Sequence, residues 1–303
     1  MFSISTVWNI ETRDYSVVAV NELMEMGFDG IELSWINEEK YKEIEDLKLK
    51  VSSVHNYLPE PMQVNKKRWR GDVFRLTALD EEERENAVEW TKNTIDTAVN
   101  FGAPAVVVHL GIPEGLSVRS SVLHELYNQG GLNTPEYVMM KKAIIKEREE
   151  KKDKFIEKGL MSLDEINSYA AKNGVKIGLE TRMYYEELPG LEEFLMIFDK
   201  FKGGALYYWH DIGHAEIHQK MNFLDDASIY LKELEKYLIG IHIHDLLALS
   251  DHKAPGMGNL DFSKFVKYLK REDLIKVFEV HASSTKEELL KGKKMLEDLC
   301  SIK

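Results

Sequence analysis

The stretch that decides the fold is 175–211, in which VKIGLETR (175–182) and ALYYWHD (205–211) flank the segment LEEFLMIFDKF (191–201). Each flanking piece is a short and nearly continuous apolar run, whereas the middle piece repeats its apolar residues at helical spacing. Strands of this kind belong to a parallel sheet that is buried on both faces, with helices as the connections. The stretch therefore predicts a β–α–β unit.

The same alternation continues along the chain of 303 residues. Candidate strands lie at 2–8, 30–33, 50–55, 105–109, 175–180, 205–209, 238–243 and 276–280. Amphipathic segments lie at 16–26, 83–101, 191–201, 223–236 and 286–299. Eight strand–helix units predict a (β/α)8 TIM barrel in a single domain over residues 1–303, because that fold occupies roughly 250 residues. An open, doubly wound sheet is the alternative, but no Gly-rich phosphate loop follows any candidate strand.

Two stretches are longer than ordinary strand-to-helix loops, at 60–80 and 112–172. The first contains KKRWR (66–70), the only dense basic cluster of the sequence, for which a surface loop is the simplest explanation. The second contains a run of mixed charges at 139–158, which is typical of a solvated helix. Both follow candidate strands, so in a barrel they lie at the C-terminal face, where active sites form. We expect these insertions to determine substrate specificity.

The composition limits the class of protein. Apolar residues make up 44% and charged residues 30%, which indicates a globular chain and not a disordered or fibrous one. The formal charge of -12 disfavours attraction to nucleic acid or anionic lipid. A single cysteine, Cys300, excludes a disulfide framework and a cysteine-based zinc site. With no apolar run of about 18 residues and no basic–apolar leader, we expect a soluble, cytoplasmic protein without membrane contact.

Imidazole and carboxylate groups close six consecutive candidate strands. They are His55, His109, Glu180, Asp211 with His214, His242 with His244 and Asp245, and Glu279 with His281, and His252 follows in the next loop. Nitrogen and oxygen donors suit Zn or Mn, and the strand ends of a barrel converge on one mouth. The pattern therefore predicts a divalent metal site there, although a lone histidine such as His55 is more often structural. We expect His124 and His218 to lie at the surface and His210 to be structural.

In these motifs the sequence resembles the xylose isomerase-like TIM barrels, the superfamily of sugar phosphate isomerases and epimerases and of endonuclease IV (AP endonuclease family 2). The resemblance covers nearly the whole chain. Its motifs, in order, are GFDGIELSW (27–35), VHNYLP (54–59), VVVHLG (106–111), GLETR (178–182), HDIGH (210–214), HIHD (242–245), APGMGNLDF (254–262) and FEVH (278–281). Each motif is short, and their order and spacing make the resemblance specific.

The epimerase branch implies one divalent ion, Mn or Zn, held by Glu180, Asp211, His242 and Glu279. His242 is preferred because HIHD matches the family's His-x-polar-Asp pattern, although His244 shares its strand face and could ligate or touch substrate. In that branch the two metal-bound glutamates also move the proton. The resemblance thus implies a metal-dependent isomerase or epimerase of a sugar, sugar phosphate or cyclic polyol, in which Glu180 and Glu279 act as base and acid through an enediolate.

The resemblance also implies that Glu186 and His214 contact substrate. Arg182 lies on the same strand face as Glu180 and is a candidate for binding a carboxylate or phosphate. An ion pair with Glu186 or Glu187 is the equally weighted alternative for Arg182. Three aromatic residues near strand ends are candidates for stacking on a sugar ring, and plain packing is expected for at least one of them. They are Trp8, Trp35 and Tyr57.

The rival hypothesis is an endonuclease IV-like trinuclear zinc site that cleaves abasic DNA. That branch adds ligands resembling His55, His109, His214 and His252, so one to three ions fit the sequence. Its remaining aspartate would fall at Ser250, with Asp251 one place away, and this departure weakens the trinuclear interpretation. The negative charge weakens it further. We expect a small, polar, sugar-like substrate, with nucleic acid disfavoured and a homo-oligomer possible; a non-catalytic ligand-binding barrel is the third hypothesis.

Overall fold

Eight parallel strands close into a barrel in the computed structural model, which describes residues 1–61 and 72–302. The strands are β1 (Ser3–Ser5), β2 (Gly30–Leu33), β3 (Val51–His55), β4 (Ala105–Val108), β5 (Lys176–Glu180), β6 (Leu206–Asp211), β7 (Leu238–Ile243) and β10 (Ile275–Phe278). Around the barrel they follow the order β1, β10, β7, β6, β5, β4, β3, β2. The predicted (β/α)8 fold is confirmed.

Helices cover the outside of this barrel. They are α1 (Ser16–Glu25), α2 (Glu38–Lys42), α3 (Glu81–Phe101), α4 (Ser120–Asn128), α5 (Pro135–Asn173), α6 (Leu191–Lys200), α7 (Ile212–Lys220), α8 (Ile229–Leu234), α9 (Val266–Leu269) and α10 (Lys286–Ser301). Local sequence sets several boundaries: Asp80 and Thr285 cap the starts of α3 and α10 through their side chains, and Gly102 ends α3 at φ +66°. Within the described ranges, no helix is both long and apolar enough to cross a membrane.

Three predicted elements differ from the observed ones. The helix predicted at 223–236 is wrong in extent, because only α8 and a following 3-10 turn (Glu235–Tyr237) form there. The first strand is shorter than predicted, since Thr6–Trp8 turn into a 3-10 helix in which the Thr6 hydroxyl donates to the Ser34 carbonyl. After β7 the chain also forms an unpredicted antiparallel hairpin, β8 (Asp245–Leu247) with β9 (Ser250–Lys253).

The long insertion predicted at 112–172 consists mostly of α5, a helix of 39 residues. Its charged run is helical as predicted, but it is not solvated all round. Arg148 is buried and donates to the Glu193 carboxylate at 2.8 Å, and Phe155 is buried in the core. The stretch that lengthens this unit is therefore the loop after β4 together with α4. In the insertion at 60–80, the KKRWR cluster lies outside the described residues.

A packed layer inside the barrel supports the polar groups at its mouth. Trp209 of β6 packs in one cluster with Val107 of β4 and Val277 of β10, each two strands away around the barrel. Two glycines leave the room that this indole needs, since a Cβ atom at Gly240 would lie 2.2 Å from the ring and one at Gly178 would lie 2.9 Å from it. Because side chains alternate along a strand, the residue two places beyond each member of this layer points to the mouth.

Candidate metal centre

The first group at the mouth contains Glu180, Asp211, His242 and Glu279, whose ligand atoms all lie within 4.8 Å of one another. The Nδ1 atom of His242 is 2.8 Å from Glu180 Oε1, 3.1 Å from Glu279 Oε2 and 3.9 Å from Asp211 Oδ2. All four side chains are buried. Donors roughly 2.0–2.2 Å from a zinc ion stand about 3–3.5 Å apart, so these separations suit one shared ion. The structure thus brings the four predicted ligands together.

A second group combines Glu180 with the two histidines that close β3 and β4. Glu180 Oε2 lies 2.6 Å from His109 Nε2 and 3.6 Å from His55 Nε2. The other oxygen of the same carboxylate faces His242, in the first group. Glu180 is therefore placed to bridge two ion positions.

The third group contains Asp211, His214, His244 and His252. Here the second carboxylate is Asp251, whose Oδ2 atom lies 3.1 Å from His252 Nδ1 and 3.7 Å from His214 Nε2. The approach to His252 is close but lacks hydrogen-bond geometry. The departure at Ser250 therefore does not leave this group without a second carboxylate, because the neighbouring Asp251 lies beside His214 and His252.

Hydrogen bonds determine which ring nitrogen each histidine presents to the centre. His55 and His214 direct Nδ1 at the carbonyl oxygens of Asn56 and Thr181, both at 2.9 Å, which leaves Nε2 with a free lone pair. His109 directs Nδ1 at Asp72 at 3.1 Å, so that Nε2 faces Glu180 Oε2 at 2.6 Å and Arg182 Nη1 at 2.5 Å. These three imidazoles are therefore held in the tautomer that a metal ligand needs.

His244 is different. Its Nδ1 atom accepts a hydrogen bond from the backbone N–H of His252 at 3.0 Å, so the ring proton must be on Nε2. That atom lies 3.0 Å from both oxygens of Asp211 and donates to the carboxylate. Neither nitrogen of His244 has a lone pair left for an ion, so the geometry makes this residue a support for Asp211.

His252 is held in a stack of parallel imidazole rings. Its centroid lies 4.2 Å from that of His244 and 4.1 Å from that of His281, with interplanar angles of 8° in both cases. The ring centroid of Trp35 lies 5.5 Å from that of His281, at an interplanar angle of 40°. Both His252 and Trp35 have left-handed backbones, at φ 53° and 58°. Such conformations cost about 1–3 kcal/mol each and cluster at functional sites.

Two carboxylates behind the histidines were missed by the sequence analysis. Glu32 lies fully buried on β2, and both of its oxygens are 3.2 Å from His242 Nε2. Asp72 is the partner of His109 described above. The signal for Glu32 was present in GFDGIELSW, where a carboxylate interrupts an apolar strand. Asp72 follows no strand directly, and no pattern in the sequence marks it.

The electrostatics of the centre are those of carboxylates held ionised by imidazoles. Burial opposes ionisation of Glu180, but His242 and His109 hold its pKa well below the ordinary value. Burial likewise opposes protonation of His242, yet the carboxylates of Glu279, Glu32 and Glu180 raise its pKa well above the ordinary value. A divalent cation would take the place of these protons, because metal ligands bind in their deprotonated form.

Arg182 pairs with Glu187, one of the two partners considered from the sequence. Its Nη2 and Nε atoms donate to Glu187 Oε1 at 2.9 and 3.1 Å, and Nη2 lies 3.4 Å from Asp72. Nη1 lies 2.5 Å from His109 Nε2. The guanidinium is therefore committed to protein carboxylates around the second group, and this structural ion pair leaves it little capacity for a substrate anion.

Glu186 forms structural hydrogen bonds with the start of α4. Its buried carboxylate accepts hydrogen bonds from the backbone N–H of Ser120, at 2.9 Å, and from the hydroxyl of the same residue, at the start of α4. Burial raises its pKa. The side chain still lines the cavity above the metal centre, so the contact with substrate hydroxyls implied by the resemblance stays a prediction.

The three aromatic candidates for sugar stacking differ in their surroundings. Trp8 donates its indole N–H to the Ser284 carbonyl at 2.8 Å, and Tyr57 donates its hydroxyl to the Phe74 carbonyl at 3.1 Å. Both rings are buried in packing, whereas Trp35 lines the cavity. The prediction that Trp8 and Tyr57 stack on a sugar ring is therefore wrong. Both rings are buried, and their polar atoms form hydrogen bonds with backbone carbonyl groups.

The histidines expected outside the site are not all at the surface. His218 is buried between the rings of Tyr185, Phe223 and Tyr230, so the prediction of a surface position is wrong. His124 is partly buried against Tyr184. The alternation that exposes one face of a helix fails here because these three rings cover the side of α7 that carries His218, near the end of the helix.

A cavity of about 550 Å³ opens above the centre. Its wall includes predicted site residues from all three groups, together with Trp35, Arg182 and Glu186. A volume in this range is ordinary for a small-molecule site. The arrangement can hold ions at the floor and place a small polar molecule over them.

Comparison with known proteins agrees with this picture. A sequence model of the family described as xylose isomerase-like TIM barrel matches residues 20–299. The chain belongs to this family. Among curated proteins it is 25% identical over 189 residues to the uncharacterized protein y4fM of Sinorhizobium fredii, which covers 61% of this chain and 49% of the relative. The present chain thus spans about half the length of that relative.

Solved structures of similar fold include three with informative names. A D-tagatose 3-epimerase-like protein has a TM-score of 0.67 and 20% identity, covering 98% of this chain and 96% of the other. The 3-keto-D-glucoside 4-epimerase YcjR of E. coli has a TM-score of 0.66 and 16% identity, covering 98% of both chains. The TTHB071 protein of Thermus thermophilus, from a crystal soaked with ZnCl2, has a TM-score of 0.59 and 18% identity, covering 98% and 96%. At these identities the likeness shows the fold alone.

Proposed function

We propose that this protein is a metal-dependent sugar isomerase or epimerase. The observation that carries the proposal is the meeting of Glu180 and Glu279 on one nitrogen of His242, at 2.8 and 3.1 Å, with Asp211 beside them at the floor of the cavity. Such a set holds two carboxylates next to one ion position and leaves both within reach of a bound sugar.

The donor set fits a divalent ion. The group contains three carboxylates and one imidazole whose Nδ1 lone pair faces them, which suits Mn or Zn. The separations between the donor atoms suit a single ion, as described above. A bound ion would polarise the carbonyl and hydroxyl oxygens of a ketose and stabilise negative charge on an enediolate.

Proton movement falls to the two glutamates. In the barrel order two strands, β6 and β7, separate β5 from β10, so Glu180 and Glu279 approach the cavity from different sides. His242 and the neighbouring histidines hold the pKa values of both carboxyl groups well below the ordinary value, which makes each an ionised acceptor for a C–H proton. One removes the C–H proton as an ionised base. The other, once it has taken up a proton from solvent or substrate, delivers that proton to the opposite side of the carbon, and the side of delivery sets the configuration.

The substrate class follows from the cavity and from the fold's relatives. A space of about 550 Å³ admits a monosaccharide, and the net charge of -12 disfavours a polyanionic polymer. Proteins named as a 3-epimerase-like protein and a 4-epimerase of sugars share this fold, which supports a sugar substrate.

The decisive experiment measures proton exchange at carbon. The purified protein, loaded with Mn or Zn, is incubated with a panel of ketoses in D2O, and deuterium at the carbon next to the carbonyl is followed by NMR. We expect exchange with at least one ketose, and a loss of about 10²–10⁴-fold with Glu279→Gln. Glu297→Gln, on the exposed face of α10, is the matched control and retains the native rate.

Two results would overturn the proposal. The first is the absence of bound metal and of exchange across the panel, which would favour a non-catalytic ligand-binding barrel. The second is an unchanged exchange rate in Glu279→Gln with its metal content retained, which would remove the proposed role of this carboxylate.

A zinc-dependent phosphodiesterase acting on abasic DNA is the second candidate. It is favoured by the three overlapping groups, which share Glu180 and Asp211, and by the position of Asp251 beside His214 and His252. Incubation of the zinc-loaded protein with a duplex that contains one abasic site discriminates between the two. Incision of the duplex without proton exchange in any ketose would replace the first proposal with this one.

A further inference from the structure

The cavity has a second polar wall, which we call the donor wall, made by Arg75, Arg119 and Ser121. Its residues follow β3 and β4, whereas His242 and Glu279 lie on β7 and at the end of β10. In the closed barrel, β3 and β4 lie across from β7 and β10. The donor wall therefore rises on the side of the mouth opposite His242 and Glu279.

Arg119 has an uncommitted guanidinium. Throughout residues 1–61 and 72–302 it makes no hydrogen bond or ion pair through its side chain, although it is partly buried on the cavity wall at the start of α4. The hydroxyl of Ser121, two residues on, has no protein partner in the same ranges. Both groups thus present hydrogen-bond donors to the cavity.

Arg75 is only half committed. Its Nη1 atom contacts the exposed carboxylate of Glu114 at 2.8 Å, while Nε is buried without a partner in the part of the chain that the structure describes. The edge formed by Nε and Nη2 is the one with which arginine binds a carboxylate or phosphate through two parallel hydrogen bonds. A buried donor without an acceptor destabilises the protein, so a ligand that supplies an acceptor to this edge would gain binding free energy.

Arg182 provides the contrast within the same cavity. Its guanidinium is neutralised by Glu187 and Asp72, so it supports the protein and not a ligand. The chain carries 52 acidic residues against 40 Lys and Arg, and carboxylates for pairing are abundant. Arg119, which is unpaired among the described residues of such a protein, is therefore best explained by an acceptor that arrives with the substrate.

We propose that the donor wall binds the anionic group, phosphate or carboxylate, of a sugar whose carbonyl end reaches the metal centre. This inference rests on the proposed function and narrows its substrate class to acidic sugars. Both anions offer negatively charged acceptor oxygens to Arg119 and to the Nε–Nη2 edge of Arg75. The cavity of about 550 Å³ leaves room for a sugar between the two sites.

The test compares three ketoses that differ only at C6, namely D-fructose, D-fructose 6-phosphate and D-fructuronate. Their affinities for the metal-loaded protein are measured by calorimetry. We expect one of the two anionic sugars to bind about tenfold or more tightly than D-fructose, which is the gain of one hydrogen bond to a charged group. The anionic sugar with the larger gain in affinity shows whether the donor wall prefers a phosphate or a carboxylate.

Variants assign that preference to the donor wall. Arg119→Gln should bring the ratio of affinities close to one, and Arg119→Lys should keep part of it, since a lysine retains the charge without the planar fork. Arg271→Gln is the matched control, because Arg271 pairs with Asp273 away from the cavity. Unfolding temperatures of the variants confirm that each has folded, and Arg119→Lys keeps the test valid if Arg119→Gln does not fold.

The outcomes separate this inference from the proposed function. Equal affinity for neutral and anionic ketoses, survival of the ratio in Arg119→Gln, or no binding of any of the three overturns the donor wall. Proton exchange with neutral ketoses alone would do so while leaving the isomerase in place. Binding of an anionic ketose that depends on Arg119, without exchange in any ketose, would support the donor wall and reject the isomerase.

Discussion

Both carboxylate oxygens of Glu32 lie 3.2 Å from Nε2 of His242, beneath the proposed metal centre and wholly out of solvent. The hydroxyl of Ser53 donates to the same carboxylate at 2.7 Å. Glu32 therefore holds the proton of His242 on Nε2 and leaves Nδ1 for an ion. A carboxylate behind a metal-bound histidine fixes the ring and increases its basicity.

Replacement of Glu32 should accordingly weaken metal binding without touching a ligand. We expect Glu32→Gln to lower the affinity of the first group by about 10–100-fold, measured by competition with a chelator of known affinity. Ser53→Ala is the matched control and should have a smaller effect, since it removes only a partner of Glu32. Native affinity in Glu32→Gln would show that Glu32 is a packing residue.

His244 provides a second prediction, because its hydrogen bonds make it a support for Asp211 and not a ligand. At saturating free metal, His244→Gln should keep the number of bound ions per chain, while His242→Gln should lose one. Metal content after equilibration in a metal buffer, measured by mass spectrometry, distinguishes the two variants. Loss of an ion in His244→Gln would mean that the ring changes tautomer and ligates.

The sequence could predict the barrel and the ligands of its mouth because both depend on local patterns. Apolar runs such as 175–180 mark buried strands, and a polar residue directly after such a run must point to the mouth. This rule placed Glu180, His242 and Glu279 at the mouth, whereas their assignment as ligands of one ion came from the family resemblance. Pairing and closure then follow from the number of units.

The supporting contacts could not be predicted, because they join residues that are far apart in the sequence. Glu32 meets His242 across 210 positions, and Asp72 meets Arg182 across 110. The tautomer of His244 depends on a backbone N–H in a hairpin that the sequence pattern did not indicate. The donor wall likewise depends on which carboxylates lie out of reach of Arg119, and only the fold decides that.

The buried His218 predicts a specific loss of stability in acid. Burial lowers its pKa from 6.5 to about 3. Between these values the unfolded chain binds a proton that the folded chain does not, so the free energy of unfolding falls as the pH falls through this window. From pH 7 to pH 5 the contribution of this one residue is a loss of about 2 kcal/mol.

His218→Gln should remove that contribution. Urea unfolding of both proteins at pH 7 and pH 5 measures it, and the native protein should lose about 2 kcal/mol more than the variant between the two values. His210→Gln is a second arm, because burial also lowers the pKa of His210 to about 3. Equal losses in the native protein and both variants would show that these rings titrate normally in the folded state.

The packed layer under the metal centre supports the last prediction. A Cβ atom at Gly240 would lie 2.2 Å from Trp209, whereas one at Gly178 would lie 2.9 Å from it. Gly240→Ala should therefore destabilise the protein by about 1–3 kcal/mol, and by more than Gly178→Ala does, because the indole has no space to withdraw.

The clash between a Cβ atom at position 240 and the Trp209 ring can also be relieved by a smaller ring at position 209, so its cause can be tested. Trp209→Phe alone leaves a void and should destabilise the protein, but the double variant Trp209→Phe with Gly240→Ala should lose less than the sum of the two single losses. Urea unfolding of the four proteins completes the cycle. Additive losses would mean that Gly240 is required by its backbone and not by the ring. The ring of His242 lies 5.2 Å from that of Trp209, so the same series should also shift the affinity for metal if the layer positions this ligand.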